Sequence, residues 1–111
     1  MTEEQRRAIQ ARYFYLTNYQ SENATDPIDP LLYVDSGGDQ LLHIAAARGD
    51  IETVTILLEN NVDVNAFGEM ENTALHYALE AGHLNVADLL KLRGANGELK
   101  NRFGVEAGKA G

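Results

Sequence analysis

The chain writes nearly the same ten residues twice, as "LLHIAAARGD" at Leu41–Asp50 and as "ALHYALEAGH" at Ala74–His83. Leu42 and Leu75, His43 and His76, Ala45 and Ala78, and Gly49 and Gly82 all lie 33 positions apart. Ile51 and Leu84 keep that interval, and Val54 and Val86 keep it with a slip of one residue. A fixed period of this length marks stacked supersecondary units, each with an apolar face that its neighbour must bury. For a chain of 111 residues this is the strongest constraint available, and it points to a stack rather than to a single deep core.

Each unit reads the same way. A polar turn containing Gly37 and Gly38 leads to a short helix from about Gln40 to Arg48, which Gly49 ends as a C-terminal glycine does. Asp50 is a good N-cap for a second helix, with Ile51, Val54, Leu57 and Leu58 on one face. Asn60 and Asn61 end it, and "VDVNAF" leads to the next turn. The second copy gives a turn at 69–72, a helix from Thr73 to about Ala81, Gly82, and a helix from Leu84 to about Leu92. Ala45, Ala46 and Ala78 are small where helices must approach closely.

The ends depart from this pattern. Residues 2–20 read as one helix, opened by a capping box from Thr2 to Gln5 and by the acids Glu3 and Glu4 at the positive end of its dipole. Ile9, Tyr13 and Leu16 share a face, which Phe14 and Tyr15 widen. The helix matches no repeat and is expected to cap the first one. "SENATDPIDP" is a loop broken by Pro27 and Pro30, and Leu31–Val34 is a short turn or an extended piece. At the other end "VEAGKAG" stands where a third helix pair would begin, and so small-residue a tail is not expected to pack, leaving the outer face of the second unit uncovered. The expected organisation is a cap and linker over 1–34, units over 35–67 and 68–100, and a truncated third unit or tail over 101–111.

Composition narrows the function. No apolar run is long enough to span a bilayer, and the start, "MTEEQRRAIQARYFYL", is not expected to be a secretory signal. There is no cysteine, hence no disulfide framework and no thiolate chemistry. A soluble cytoplasmic protein is the expectation. The net charge is −8, and between residues 20 and 90 Arg48 is the one basic residue against thirteen acidic ones. Such a surface repels phosphate backbones, which argues against nucleic acid, and attracts a basic protein surface.

The quoted segments resemble the ankyrin-repeat family. Gly38, "QLLH" (Gln40–His43), Ala45-Ala46, "GDIETVTILL" (Gly49–Leu58) and "NVDVNA" (Asn61–Ala66) follow the family's pattern, as do "TALH" (Thr73–His76), Ala78, "GHLNVADLLK" (Gly82–Lys91) and "GAN" (Gly94–Asn96). "NRFG" at Asn101–Gly104 begins a third turn. The departures are Gln40-Leu41 at the start of the first inner helix, where Asp39 is the alternative cap, Asn61 at a glycine position, and Glu71 where the second turn's glycine belongs. The resemblance implies an all-α helix-turn-helix stack, an α-solenoid with short hairpin-like turns, that binds another protein through its turn tips and inner helices.

Catalysis finds little support. His43 and His76 invite a metal or a general base, but the resemblance gives such a histidine the task of tying an inner helix to neighbouring backbone. His83 reads as a turn residue. No metal-binding spacing of His and Cys and no paired carboxylates are present, so neither an enzyme nor a cofactor is expected. The positions that match the family's binding strip include Asp39 and Arg48 of the first unit, Phe67, Glu69, Met70, Asn72 and Glu80 of the second, and Arg102 and Phe103 of the third turn. Phe67, Met70 and Phe103 are large apolar residues expected at water-facing tips, where they suit interface anchors. Two narrower roles stay open: an acidic inhibitor or immunity-type protein that blocks a basic toxin or enzyme, and a self-associating scaffold in which the uncovered end face forms a homodimer.

Overall fold

A computed structural model describes residues 1–111. Five helices follow one another: α1 Glu3–Arg12, α2 Leu41–Arg48, α3 Ile51–Glu59, α4 Ala74–Glu80 and α5 Leu84–Leu92. There is no sheet, only isolated antiparallel bridges between Val34 and Gln40 and between Lys100 and Glu106. The inner helices α2 and α4 pack on each other, the outer helices α3 and α5 do the same, and each inner helix packs on the outer helix that follows it. The result is the two-layer, all-α stack expected from the period.

The physical reasons for the elements lie close to the residues. Gly49 ends α2 in the left-handed conformation, with φ 71°, where a glycine meets no Cβ penalty. The Asp50 side chain caps α3 by accepting from the Thr53 amide at 3.2 Å. Asn61, at a glycine position, takes φ 62°, which asparagine tolerates better than most residues. Ala45, Ala46, Ala74 and Ala78 are fully buried and let α2 and α4 come together, while Leu57, Leu75 and Leu90 fill the space between the layers.

The cap is shorter than its sequence suggests. The capping box from Thr2 to Gln5 is present, with both bonds at 3.0 Å, but the helix stops at Arg12 rather than continuing to residue 20. The consecutive aromatics Tyr13, Phe14 and Tyr15 hold a helix weakly, and breaking it there buries Tyr13, whose hydroxyl donates to Asp50 Oδ2 at 2.7 Å. Ile9 and Tyr13 reach the core, whereas Phe14 and Tyr15 do not join the stripe and stay exposed. Arg12 Nη1 meets Asp50 Oδ1 at 2.7 Å and Nη2 meets Glu52 Oε2 at 3.3 Å, so two carboxylates of the first unit fasten the cap. Burial works to raise the Asp50 pKa, but hydrogen bonds from Thr53, Tyr13 and Arg12 outweigh it and hold the group below the usual carboxylate value.

The tail corrects a second expectation. Residues 107–109 form a turn of 3-10 helix that packs on α4, and Ala107 is fully buried. The Ala107 amide donates to Leu99 O and the Gly108 amide to Gly97 O, both at 2.8 Å. The smallness of these residues, taken from sequence as a reason not to pack, is what allows it: a Cβ on Gly97 or Gly108 would come within 3.4 Å or closer of the other glycine's backbone. The tail therefore covers the second unit at α4, while Leu84 and Leu92 of α5 stay exposed.

Candidate functional site

Three turns project from the N-terminal ends of the inner layer, and all close in the same way. Asp35 N donates to Asp39 O at 2.9 Å, Gly68 N to Asn72 O at 2.7 Å, and Asn101 N to Val105 O at 3.0 Å. Within the first turn, Asp35 Oδ1 also accepts from the amides of Gly37 and Asp39, and within the third, Asn101 Oδ1 accepts from those of Phe103 and Val105. Each of these turns is braced by its own leading side chain.

The second turn has no such brace, because its leading residue is Gly68. Glycine is required there by a close approach: a Cβ would lie 2.3 Å from Asp39 Oδ1 and 3.0 Å from the His43 ring. At its tip Met70 and Glu71 both take positive φ, 58° and 60°, although neither is glycine. Neighbouring turns hold this tip in place. Asp39 Oδ1 accepts from the Glu69 amide at 2.9 Å, Arg102 N donates to Met70 O at 2.9 Å, and Asn101 Nδ2 donates to Asn72 Oδ1 at 2.9 Å. The Glu69 side chain lies close over Gly37, and Arg102 Nη1 is 3.6 Å from Met70 Sδ. The three tips thus form one continuous strip.

The expected site residues divide on this geometry. Phe67, Met70 and Phe103 are exposed by 50%, 40% and 73%, respectively, and Glu69, Glu80 and Arg102 are exposed with them. Asp39 is not on the strip. It is buried, and its Oδ1 also accepts from Tyr77 OH at 2.7 Å, so it neither faces a partner nor caps α2. Burial, helped by the Asp39 carboxylate, raises the Tyr77 pKa well above the usual phenol value. Asn72 is half-buried and committed to Asn101. Arg48 is exposed but occupied: its guanidinium stands 4.9 Å over the Tyr13 ring, and Nη1 donates to Tyr15 OH at 2.6 Å. That contact was not legible from sequence, since Tyr15 lies 33 residues away in the cap. Sequence reasoning also left Glu71 off the strip, although its place in a glycine slot was the signal that could have found it.

The strip is not uniformly acidic. Glu69 and Glu71 stand at the second tip without an ion-pair partner, while Lys100 and Arg102 flank the third. The histidines are tied down as expected. Nδ1 of His43 accepts from the Gln40 amide and Nδ1 of His76 from the Thr73 amide, both at 2.9 Å. That leaves Nε2–H to donate to Ala66 O at 2.9 Å and to Val105 O at 2.8 Å, so both ring nitrogens of each histidine are in use. No group of His, Asp and Glu side chains is arranged to hold a metal ion, and no helix is long and apolar enough to cross a membrane. A pocket of about 340 Å³ between α1 and α3 is lined by Thr2, Glu4, Gln5, Ala8, Glu52 and Ile56 and includes none of the expected site residues.

Comparison with known proteins bears on most of the chain. Residues 12–101 match the family described as ankyrin repeats, in three copies. Acyl-CoA-binding domain-containing protein 1 of Arabidopsis thaliana is 35% identical over 78 residues, which cover 63% of this chain and 23% of that protein. Probable E3 ubiquitin-protein ligase XBOS33 of Oryza sativa subsp. japonica is 45% identical over 51 residues, 46% of this chain and 10% of that protein. L-asparaginase of Dirofilaria immitis is 37% identical over 68 residues, 61% of this chain and 12% of that protein. The chain thus spans less than a quarter of the length of each.

Proposed function

The chain belongs to the ankyrin-repeat family, and from that premise we propose that it docks a partner protein through the second and third turns. Ankyrin repeats indicate a protein–protein interaction module and are generally non-enzymatic. The observation that carries the finer reading is the exposure of Phe67, Met70 and Phe103 on one hydrogen-bonded strip. Large apolar side chains at tips that face water are the kind of anchor on which binding energy concentrates, about 2 kcal/mol or more each. The neighbouring turns hold the strip in shape before any partner arrives, which lowers the ordering cost of binding.

Charge supports the choice of partner. Glu69, Glu71 and Glu80 favour Arg or Lys side chains facing the second unit, while Lys100 and Arg102 favour a carboxylate facing the third turn. The proposed partner is a protein whose contact surface is basic with an acidic margin, a narrower reading than a uniformly basic one. The proposed units run over 35–67 and 68–100, with 101–111 as an abbreviated third whose 3-10 turn takes the place of an inner helix.

The test compares capture of proteins from cell extract by the wild type and by the triple variant Phe67→Ala, Met70→Ala, Phe103→Ala, after matched thermal melts. A protein held by the first and lost from the second is the expected result. Equal capture by both, or none by either, overturns the reading.

A further inference from the structure

We propose that Asn96 is a site of spontaneous deamidation, and that the isoaspartate formed there releases the C-terminal tail from the second unit. Asn96 is exposed and precedes Gly97, the one Asn-Gly pair in the chain. Glycine puts no side chain in the way of its own backbone nitrogen. Asn96 Oδ1 accepts from the Glu98 amide at 2.9 Å, which folds the side-chain amide back over the Gly97 peptide. The Gly97 amide donates no hydrogen bond within the chain, and neither does Asn96 Nδ2. The atom that attacks and the atom that leaves are thus both unheld, while the oxygen that gains charge between them has a donor.

The step needs only water. Hydroxide takes the Gly97 amide proton, the nitrogen attacks Asn96 Cγ, and the C=O electron pair moves onto Oδ1 beside the Glu98 N–H. The intermediate collapses, the Cγ–Nδ2 bond breaks, and Nδ2 takes a proton from water and leaves as ammonia, which restores the hydroxide. Water then opens the succinimide at either carbonyl. Addition at Cγ gives aspartate, and addition at the main-chain carbon of residue 96 gives isoaspartate, with the chain running through Cγ. Nothing is oxidised or reduced. The two products differ in consequence. Asp63 stands 33 residues earlier, and its Oδ1 accepts from the Asn65 amide at 2.9 Å, so the first unit already carries an aspartate in this role. Isoaspartate instead lengthens the main chain by one methylene. Just beyond lie Gly97 O and Leu99 O, which accept from the Gly108 and Ala107 amides at 2.8 Å and hold the tail.

The test incubates the folded protein at mildly alkaline pH and locates isoaspartate by peptide mass spectrometry after labelling with an isoaspartate-specific methyltransferase. Asn101 is the internal control: its Oδ1 has the same kind of brace, but Arg102 follows it and its Nδ2 is held by Asn72. Isoaspartate at position 96 is expected to accumulate at least about tenfold faster than at position 101. Gly97→Ala, whose Cβ meets nothing closer than 3.4 Å, is expected to suppress it, with circular dichroism confirming the fold. Amide hydrogen exchange at Ala107 and Gly108 should quicken in the isoaspartate fraction and stay slow in Asn96→Asp. Equal rates at the two asparagines, or a rate unchanged in Gly97→Ala, overturns the site, and unchanged exchange in the isoaspartate fraction overturns the release of the tail. No partner enters this assay, so its outcome is independent of the docking reading.

Discussion

The first and second turns occupy equivalent positions 33 residues apart, yet opposite means hold them. The first is self-contained: Asp35 binds two amides of its own turn, and Gly38 takes the positive φ, 97°, at no steric cost. The second places glycine at the base, where Asp39 and His43 press in, and puts Met70 and Glu71 in the left-handed region. Its conformation is fixed by Asp39 and Tyr77 on one side and by Asn101 and Arg102 on the other. A turn held by its neighbours can carry side chains that a free-standing turn would reject, because the surrounding contacts offset a strain of about 1–3 kcal/mol per residue. The second turn is accordingly the one that presents both an apolar anchor and an unpaired carboxylate.

The contrast breaks most sharply at the bases and tips of the turns. Gly68→Ala is expected to cost about 2–3 kcal/mol, the range for overpacking a filled site. Its Cβ can be accommodated only by moving Asp39 off the Glu69 amide and the Tyr77 hydroxyl. Gly104→Ala, where φ is 78° and nothing lies within 4 Å, is expected to cost about 1 kcal/mol. Urea melts of the two variants order them, and equal losses would show that the base of the second turn is not crowded.

Removing the braces should separate the turns further. Asp39→Ala leaves a half-buried amide and a half-buried hydroxyl without their acceptor and is expected to lose about 2 kcal/mol. Asp35→Ala frees amides near water and is expected to lose about 1 kcal/mol.

Alkaline pH probes the same junction. The Tyr77 pKa is raised in the folded state by burial and by Asp39, so its contribution is fully present below the unfolded value of about 10 and is lost as pH rises above that. Thermal melts between pH 9 and 11 should show stability falling, with a shallower fall in Tyr77→Phe. Tyr13, whose pKa is raised by burial and by its bond to Asp50, keeps part of the slope in that variant.

The smallest expected effect has the opposite sign. Glu71→Gly, which gives the second tip the residue found at the first and third, should raise stability by about 0.5–1 kcal/mol, since relief of strain exceeds the added freedom of the unfolded chain. On the docking reading it should also weaken partner capture, because the carboxylate is lost. A neutral or destabilising result would mean that Glu71 makes a compensating contact.

Much of the stack is legible in the sequence, because its signals are local and occur twice. The 33-residue period, Gly49, Asp50 as a cap, and Thr73 with His76 three residues on each act within one or two helical turns. So the helix pairs and their order follow from residue type and spacing, and the binding of both histidines to backbone is what the resemblance implied. What only tertiary structure decided lies where partners are remote in sequence. Asp39 reads as a surface residue until Tyr77 and Glu69 close over it, and Arg48 reads as a free cation until Tyr15 of the cap meets it. The helix break at Tyr13 depends on Asp50, and the packing of the small-residue tail depends on Gly97 and α4. The exposure of Phe67, Met70 and Phe103, by contrast, is what the resemblance led one to expect. Period and capping are written into the chain locally, whereas burial and charge pairing are set by which distant segments the stack brings together.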